Sequence, residues 1–418
     1  MSRDPGAGRR ALTAALLCGS LMGCGGPVTS PRPSPPTSAQ AGDWTLANVE
    51  RPADNIASTP PSAVTHDPNS AGHPGHPAGQ AVLDAVAAGP QGLLAGGYVR
   101  SAGVPRAALW SSATGRDWTI VRGLPAGDGS LVEGVAASRT AVAVGSSGSR
   151  PAAWVSTDGA TWQAMLINAG TTTTPEPATR MTSVAVGAVT VAGGWAGGPS
   201  DQPAARFWVS RNGESWAQAS AAPGAAANAR LLAVAAGPHG YVAVGQTGSE
   251  GQPTGATAWF SADGSTWSRV ADRDLPRDAV LEAVTSIGDG FLAVGSSVAR
   301  DRAVVWGSAD GHAWTAMADD PVFHHFGLKV RMLGVAGSGT GATAVGVSLF
   351  GTQFGSATAW QTADGQSWRR VPDAPVFDGG EMAAVVESNG TVVAAGTWGA
   401  PDQYVPTVWL GPAPAPKP

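Results

Sequence analysis

The chain has 418 residues and a formal net charge of −5, with 13% charged and 43% hydrophobic residues. That hydrophobic content excludes wholesale disorder, and the mild acidity supplies no basic footprint for a nucleic-acid partner. The 58 Gly and 33 Pro, about one residue in five, make the chain dense in turns yet short of low-complexity sequence.

Residues 1–24 read as an export signal. Arg3, Arg9 and Arg10 supply a positive start, and Ala11 to Met22 is an apolar stretch too short to span a bilayer. It ends in Leu21-Met22-Gly23-Cys24, which resembles the lipobox of bacterial lipoproteins. The resemblance implies that Cys24 becomes the first mature residue, carries lipid, and holds the protein on the outer side of the cell membrane. The pair Arg9-Arg10 leaves both general and twin-arginine export open. Cys18 departs with the signal, so no disulfide, thiolate metal site or catalytic Cys is expected within the monomer. Residues 25–41 contain Pro31, Pro33, Pro35 and Pro36 and read as a tether. Extended at ~3.1 Å per residue, it reaches on the order of 50 Å.

From residue 42 to 411 the chain repeats itself. A short apolar strand recurs with its central Val at Val86, Val135, Val184, Val234, Val284, Val335 and Val385, in steps of 49, 49, 50, 50, 51 and 50 residues. A second strand closes each time on Gly97, Gly145, Gly194, Gly245, Gly295, Gly346 and Gly396. Six units carry a Trp pair, as in Trp154 and Trp162. Within 130–166 the pattern predicts strands a (Leu131–Ala137), b (Ala141–Gly145), c (Ala152–Ser156) and d (Trp162–Leu166). Asp158-Gly159 between c and d reads as a two-residue hairpin turn, with positive φ at both residues. Units of four antiparallel strands, repeated seven times, predict an all-β, seven-bladed β-propeller. The Ala-rich run 221–236 favours helix by propensity, but the repeat register places a strand there.

The seventh unit lacks strand d and its second Trp. Asp43-Trp44-Thr45-Leu46 is similar to Asp117-Trp118-Thr119-Ile120, a strand d without its preceding strands. Residues 44–49 are therefore expected to complete the last blade and close the ring, which removes an open edge. Residues 412–418 form a Pro/Ala tail.

The segments at Ser156, Asp158, Gly159 and Trp162 and at Ser261, Asp263, Gly264 and Trp267 resemble the Asp-box, or BNR repeat, of sialidases and other secreted propellers. Ser308, Asp310, Gly311 and Trp314 form a less complete copy. So do Asn212, Gly213 and Trp216, and Asp364, Gly365 and Trp368 after Thr362. The family motif keeps one residue between Asp and Gly; here they are adjacent. The resemblance implies a structural turn at the blade periphery, with no catalytic role. A sialidase site would need an Arg triad, a Tyr–Glu nucleophile pair and an Asp acid. With only Tyr98, Tyr241 and Tyr404 present and no Arg-Ile-Pro motif, no catalytic residue is carried over.

Chain direction places the d–a and b–c connections on one face, and the tight a–b and c–d turns on the other. The long b–c stretches, such as 98–106, 247–254 and 349–356, make the first face the candidate binding face. On the a strands, the position before each Val is small: Ala85, Gly134, Ser183, Ala233, Ala283, Gly334 and Ala384. Two and four positions before the Val, charges gather at the channel mouth: Asp84, Glu133 and Glu282, with Arg180, Arg230, Arg331 and Glu381. This ring reads either as ion pairs between blades or as a site for an anionic or sugar ligand, with the three Arg as donors. The 51–80 connection carries His66, Asp67, His73 and His76 on that same face. His324-His325, with Phe323 and Phe326, is a candidate apolar lip beside it.

The sequence thus predicts a lipid-anchored, monomeric propeller outside the cell membrane, binding an envelope protein or a glycan without catalysis. No cofactor and no resident metal are expected. The alternative is a sialidase-like glycoside hydrolase or lyase working at the charged mouth.

Overall fold

In a computed structural model of the chain, the described residues are 43–52, 81–101, 103–167, 177–197, 202–222, 224–249, 252–350, 353–399 and 404–414. The signal, Cys24, the tether, most of the 51–80 connection and the end of the tail lie outside them. The strands follow the expected periodicity. Strands a are Ala81–Gly89, Ser130–Ala137, Thr179–Val186, Arg230–Gly237, Ala279–Ile287, Lys329–Ser338 and Gly380–Ser388. Each pairs antiparallel with the following strand b, b with c, and c with d, and this gives the seven sheets found among the described residues. Neighbouring a strands touch in sequence, and the last, Gly380–Ser388, touches the first, Ala81–Gly89. The chain is a seven-bladed propeller. Among its described residues the Ala-rich run holds the end of the short strand Ser220–Ala221, turns, and strand a of blade 4, Arg230–Gly237, and no helix.

The hydrophobic core is divided among the junctions between blades. Seven large buried clusters each draw on two neighbouring blades, from Leu109 with Trp154 at blades 1 and 2 round to Val393 with Trp110 at blades 7 and 1. The first Trp of each pair, on strand c, supplies much of this burial; Trp110, Trp259 and Trp360 are wholly buried. A buried Trp contributes a large apolar area while its N–H still needs a partner. Trp110 Nε1 donates to the Glu50 carbonyl at 2.9 Å, and Trp409 Nε1 donates to the Val376 carbonyl at 2.8 Å.

The ring closes where expected, with one correction. Thr45–Leu46 pairs antiparallel with Leu410 and Trp409 and is strand d of blade 7. Asn48–Val49 does not continue that blade. It crosses to blade 1 and lies parallel to Asp117–Trp118 as a short fifth strand. The reason is geometric: the outer edge of the next blade presents unpaired carbonyls to the chain as it leaves strand d. Asn48 N donates to the Arg116 carbonyl at 2.7 Å, and Glu50 N to the Trp118 carbonyl at 2.8 Å. Ser220–Ala221 covers the edge of blade 4 at Thr266–Trp267 in the same way.

Two further expectations change. The stretches 98–106, 247–254 and 349–356 are not open loops. In their described residues strands b and c continue pairing, as far as Ser101 with Val104, Ser249 with Gln252 and Phe350 with Gln353, so these stretches extend the b–c hairpins. The Asp158-Gly159 turn is also different. Only Gly159 has positive φ, at 74°. Strand c ends at Ser156 and strand d spans Gln163–Leu166, so Trp162 precedes the strand. The Asp carboxylate organises this longer connection by accepting nearby backbone N–H groups.

Candidate functional site

The channel mouth is built by an irregularity that all seven blades share. In every a–b pair the register slips between the third and first residues before the central Val, as between Leu83 and Ala85 or Met181 and Ser183. The skipped residue is a β-bulge, which bends the strand and re-aims one side chain. The bulged residues are Asp84, Glu133, Thr182, Leu232, Glu282, Leu333 and Ala383, and all seven line a central cavity of about 170 Å³. The small residues beside them let neighbouring a strands approach. A Cβ on Gly134 would stand 2.9 Å from Ser183 Cα, and one on Gly334 would stand 3.0 Å from Ala384 Cα.

The predicted charges therefore separate into two tiers. Asp84, Glu133 and Glu282 line the channel; Arg180, Arg230, Arg331 and Glu381 are outside its lining. A residue four before the Val on one blade reaches back to the bulged residue of the preceding blade. Arg180 donates to Glu133 at 3.0 Å and Arg331 donates to Glu282 at 2.6 Å, each pair largely buried. Burial disfavours the Arg331 charge, but Glu282 and Glu381 more than offset it, so its pKa stands above the ordinary Arg value. Blade 3 has Thr182 where an acid would meet Arg230. There the guanidinium packs over the Trp195 ring at 4.1 Å from its centroid, and Arg180 lies over the same ring at 5.0 Å. The three Arg thus fall into two groups, Arg180 and Arg230 at Trp195, and Arg331 between Glu282 and Glu381. Sequence reasoning missed Trp195, whose only signal was its place at the mouth end of strand b.

Tyr98 of blade 1 packs with Val82 of the same blade, Leu131 of blade 2 and Tyr404 of blade 7. Burial pushes the Tyr98 hydroxyl well above its ordinary pKa; the Asp84 charge adds to this and Arg100 opposes it. The phenol there is held protonated at neutral pH.

The Asp-boxes sit at the blade periphery, on the c–d turns. Ser156 Oγ accepts from Gly159 N at 2.9 Å, and Asp158 Oδ1 accepts from Ala160 N at 2.8 Å and Thr161 N at 2.7 Å. Trp162 Nε1 then donates to the Gly159 carbonyl. The Ser261, Asp263, Gly264, Trp267 and Ser308, Asp310, Gly311, Trp314 boxes repeat this pattern. Asn212 Oδ1 plays the Asp part, accepting from Glu214 N and Ser215 N, with Ser210, Gly213 and Trp216 completing that box. These bonds hold the carboxylates below their ordinary pKa. The Thr161 amide does so first for Asp158, the Ser265 hydroxyl brings Asp263 down to about 2, and the Ala313 amide leads for Asp310.

The box at Asp364, Gly365 and Trp368 departs from the set. Asp364 still accepts from Gln366 N and Ser367 N, but Trp368 Nε1 donates to Met317 Sδ of blade 5 at 3.2 Å.

On the d–a and b–c face, the 319–329 connection divides the expected lip. Phe323 is buried and packs edge-on to Trp368 at 6.3 Å, whereas Phe326 is fully exposed. Asp319 Oδ1 binds Arg302 at 2.6 Å and His324 Nε2 at 2.7 Å. His324, first, and the Arg302 charge hold the Asp319 carboxyl below its ordinary pKa. His325 Nδ1 lies 3.0 Å from Arg370 Nη2. Val298 and Phe350 are exposed on the b–c hairpins of blades 5 and 6, either side of Phe326 in the chain. The three segments are joined: Val330 N donates to the Asp301 carbonyl at 3.1 Å, and Lys329 pairs across the sheet with Leu349. A shallow depression of about 720 Å³ lies between Arg300–Asp301 and His324–Leu328. His66, Asp67, His73 and His76 fall outside the described residues. Among the described residues, no group of three or more His, Cys, Asp and Glu could hold a metal, and no helix is long and apolar enough to cross a membrane.

No protein-family model and no curated protein sequence matches the chain. Solved structures do. A phage phi92 endosialidase is 8% identical over 89% of this chain and 70% of its own, with a TM-score of 0.49. The WD40 β-propeller domain of Doa1 is 13% identical over 79% and 93%, at 0.48. A Trypanosoma rangeli sialidase in complex with 2,3-difluorosialic acid is 14% identical over 65% of this chain, at 0.40. The chain spans about half the length of the Trypanosoma sialidase structures, 51–52%.

Proposed function

We propose that this protein is a lipid-anchored propeller outside the cell membrane, tethered at Cys24, that acts as a non-catalytic docking module for an envelope protein. The observation that supports this reading is the exposure of Val298, Phe326 and Phe350 on three joined segments of the d–a and b–c face. Large apolar side chains clustered in solvent within a polar rim mark an interaction surface. Arg300, Asp301, His324 and Lys329 supply that rim. Site-specific photo-crosslinking in the native envelope tests it. A photoreactive residue at position 326 or 350 is expected to trap one discrete partner, and the same residue at 212, on the opposite face, is expected to trap none. Equal, diffuse labelling from all three positions would sink the reading.

The second reading is a sialidase-like hydrolase or lyase at the mouth, favoured by the closeness of Tyr98 to Asp84, Arg100 and Tyr404. It requires turnover of a fluorogenic sialoside that is lost in Tyr98→Phe. The raised pKa of Tyr98 works against a phenolate nucleophile.

A further inference from the structure

We propose that the groove between blades 5 and 6 binds a small amphipathic cation, an apolar ring or chain carrying one ammonium group. One wall of the groove lacks a side chain at Gly307. In six blades the residue after the strand c Trp is Ser111, Val155, Val209, Phe260, Gln361 or Leu410; in blade 5 it is Gly307. At three other junctions this side chain reaches the box glycine of the next blade, whereas Gln91 covers Gly159, Val191 covers Gly264 and Ile287 covers Gly365. Val155 lies over Gly213, Phe260 over Gly311, and Leu410 over Gly115. Phe260 also packs on His312, with ring centroids 3.9 Å apart. A Cβ on Gly307 would meet nothing within 4 Å. The groove that Gly307 lines has a volume of about 580 Å³, within the usual range for small-molecule sites.

The walls give the ligand its chemistry. Ile287, Met317, Phe323 and Trp368 make an apolar floor, and Asp320 and Asp364 stand among the lining residues. Among the described lining residues there is no Lys, Arg or His. An anion would meet two carboxylates and no counter-charge, whereas a cation with an apolar body matches both parts of the surface. Asp364 is committed to its own turn through Gln366 N and Ser367 N. Asp320 is exposed on the 319–329 connection and caps Val322 N through Oδ1, so it is the carboxylate placed to meet the ammonium group at the rim. The altered box fits this arrangement. The other box Trp residues, Trp118, Trp162, Trp216, Trp267 and Trp314, donate to their own box carbonyl. Trp368 instead donates to Met317, which ties the two walls together across the junction. The site does not depend on partner docking at the loop face.

Saturation-transfer NMR on the full chain tests the proposal, with phenethylammonium, 2-phenylethanol and 3-phenylpropionate as probes. Phenethylammonium is expected to bind about tenfold tighter than 3-phenylpropionate. Gly307→Val, which restores the residue type found in blades 2 and 3, should abolish binding of all three probes with no loss of thermal stability. Asp320→Asn should weaken phenethylammonium about fivefold and leave 2-phenylethanol unchanged. Equal binding of cation and anion, or undiminished binding to folded Gly307→Val, would overturn it. Should Gly307→Val fail to fold, an unchanged cation preference in Asp320→Asn would overturn it alone.

Discussion

The carbonyl oxygen of Arg230 lies 1.9 Å from where a Cβ on Gly245 would stand. The same relationship recurs in every blade, between Val82 and Gly97, Leu131 and Gly145, Arg180 and Gly194, Val280 and Gly295, Arg331 and Gly346, and Glu381 and Gly396, at 1.9–2.0 Å. The β-bulge drives strand a onto strand b at this point, and only a residue without a side chain leaves room. Gly245→Ala must push back the strand that carries Leu232 and Arg230. It is expected to cost about 2–4 kcal/mol in denaturant unfolding, while Gly307→Ala, with open space around it, stays within about 0.5 kcal/mol of wild type.

The pair Arg180–Glu133 bridges blades 2 and 3 with both side chains largely buried. Arg180→Ala leaves a buried carboxylate without its main counter-charge, so a loss of about 3–5 kcal/mol is expected. The double variant Arg180→Met with Glu133→Gln removes both charges and should recover most of that loss. If the two variants unfold at the same denaturant concentration, the pair is not what holds this junction.

The Asp-boxes predict acid sensitivity. An unfolded Asp titrates near about 3.9, and Asp263 in the fold is held down to about 2. A depressed folded pKa adds stability above the unfolded value, and that stability is lost as pH falls from about 4 through about 2. Asn212 performs the same turn without a charge, so Asp263→Asn should fold. Its thermal midpoint should fall less steeply than that of wild type between pH 4 and pH 2, approximately the interval set by these values. A parallel decline in the two proteins would contradict the assignment.

Closure of the ring rests on Trp44. It is buried, meets the Phe377 ring edge-on at 5.6 Å, and lies against Gly411 of blade 7. Trp44→Ala is expected to cost about 3–5 kcal/mol. It should also raise hydrogen exchange first at Val405–Pro412, the strand that Thr45–Leu46 covers. Uniform exchange across all blades would show that the clasp is not the weak point.

The repeat made the blades legible. The Val series, the small residues before it and the invariant glycines each report one contact that seven blades make alike, and the unpaired Asp43-Trp44-Thr45-Leu46 segment identified the closing strand. What escaped was the pairing register within each blade and whatever depends on a neighbouring one. The bulge that separates Asp84, Glu133 and Glu282 from Arg180, Arg230 and Arg331 changes no residue count within a unit. The crossing of Asn48–Val49 to blade 1 depends on the edge it meets, not on its own composition. Trp195 is a platform because Arg180 of its own blade and Arg230 of the next both lie over it. Gly307 is silent in a single blade, since its effect is the space it leaves beside another.

Residues 44–50 belong to two blades at once, with Thr45–Leu46 in blade 7 and Asn48–Val49 in blade 1. A mechanical pull at the amino end is therefore delivered to the seam of the ring. Trp44 must be drawn from its socket, and both short pairings must peel, before any other strand takes load. The Glu50 carboxylate, which accepts from Ile120 N at 2.9 Å and binds Arg122, is the far rivet of that seam. Tension at the amino end is thus expected to open the ring first at the seam between blades 7 and 1.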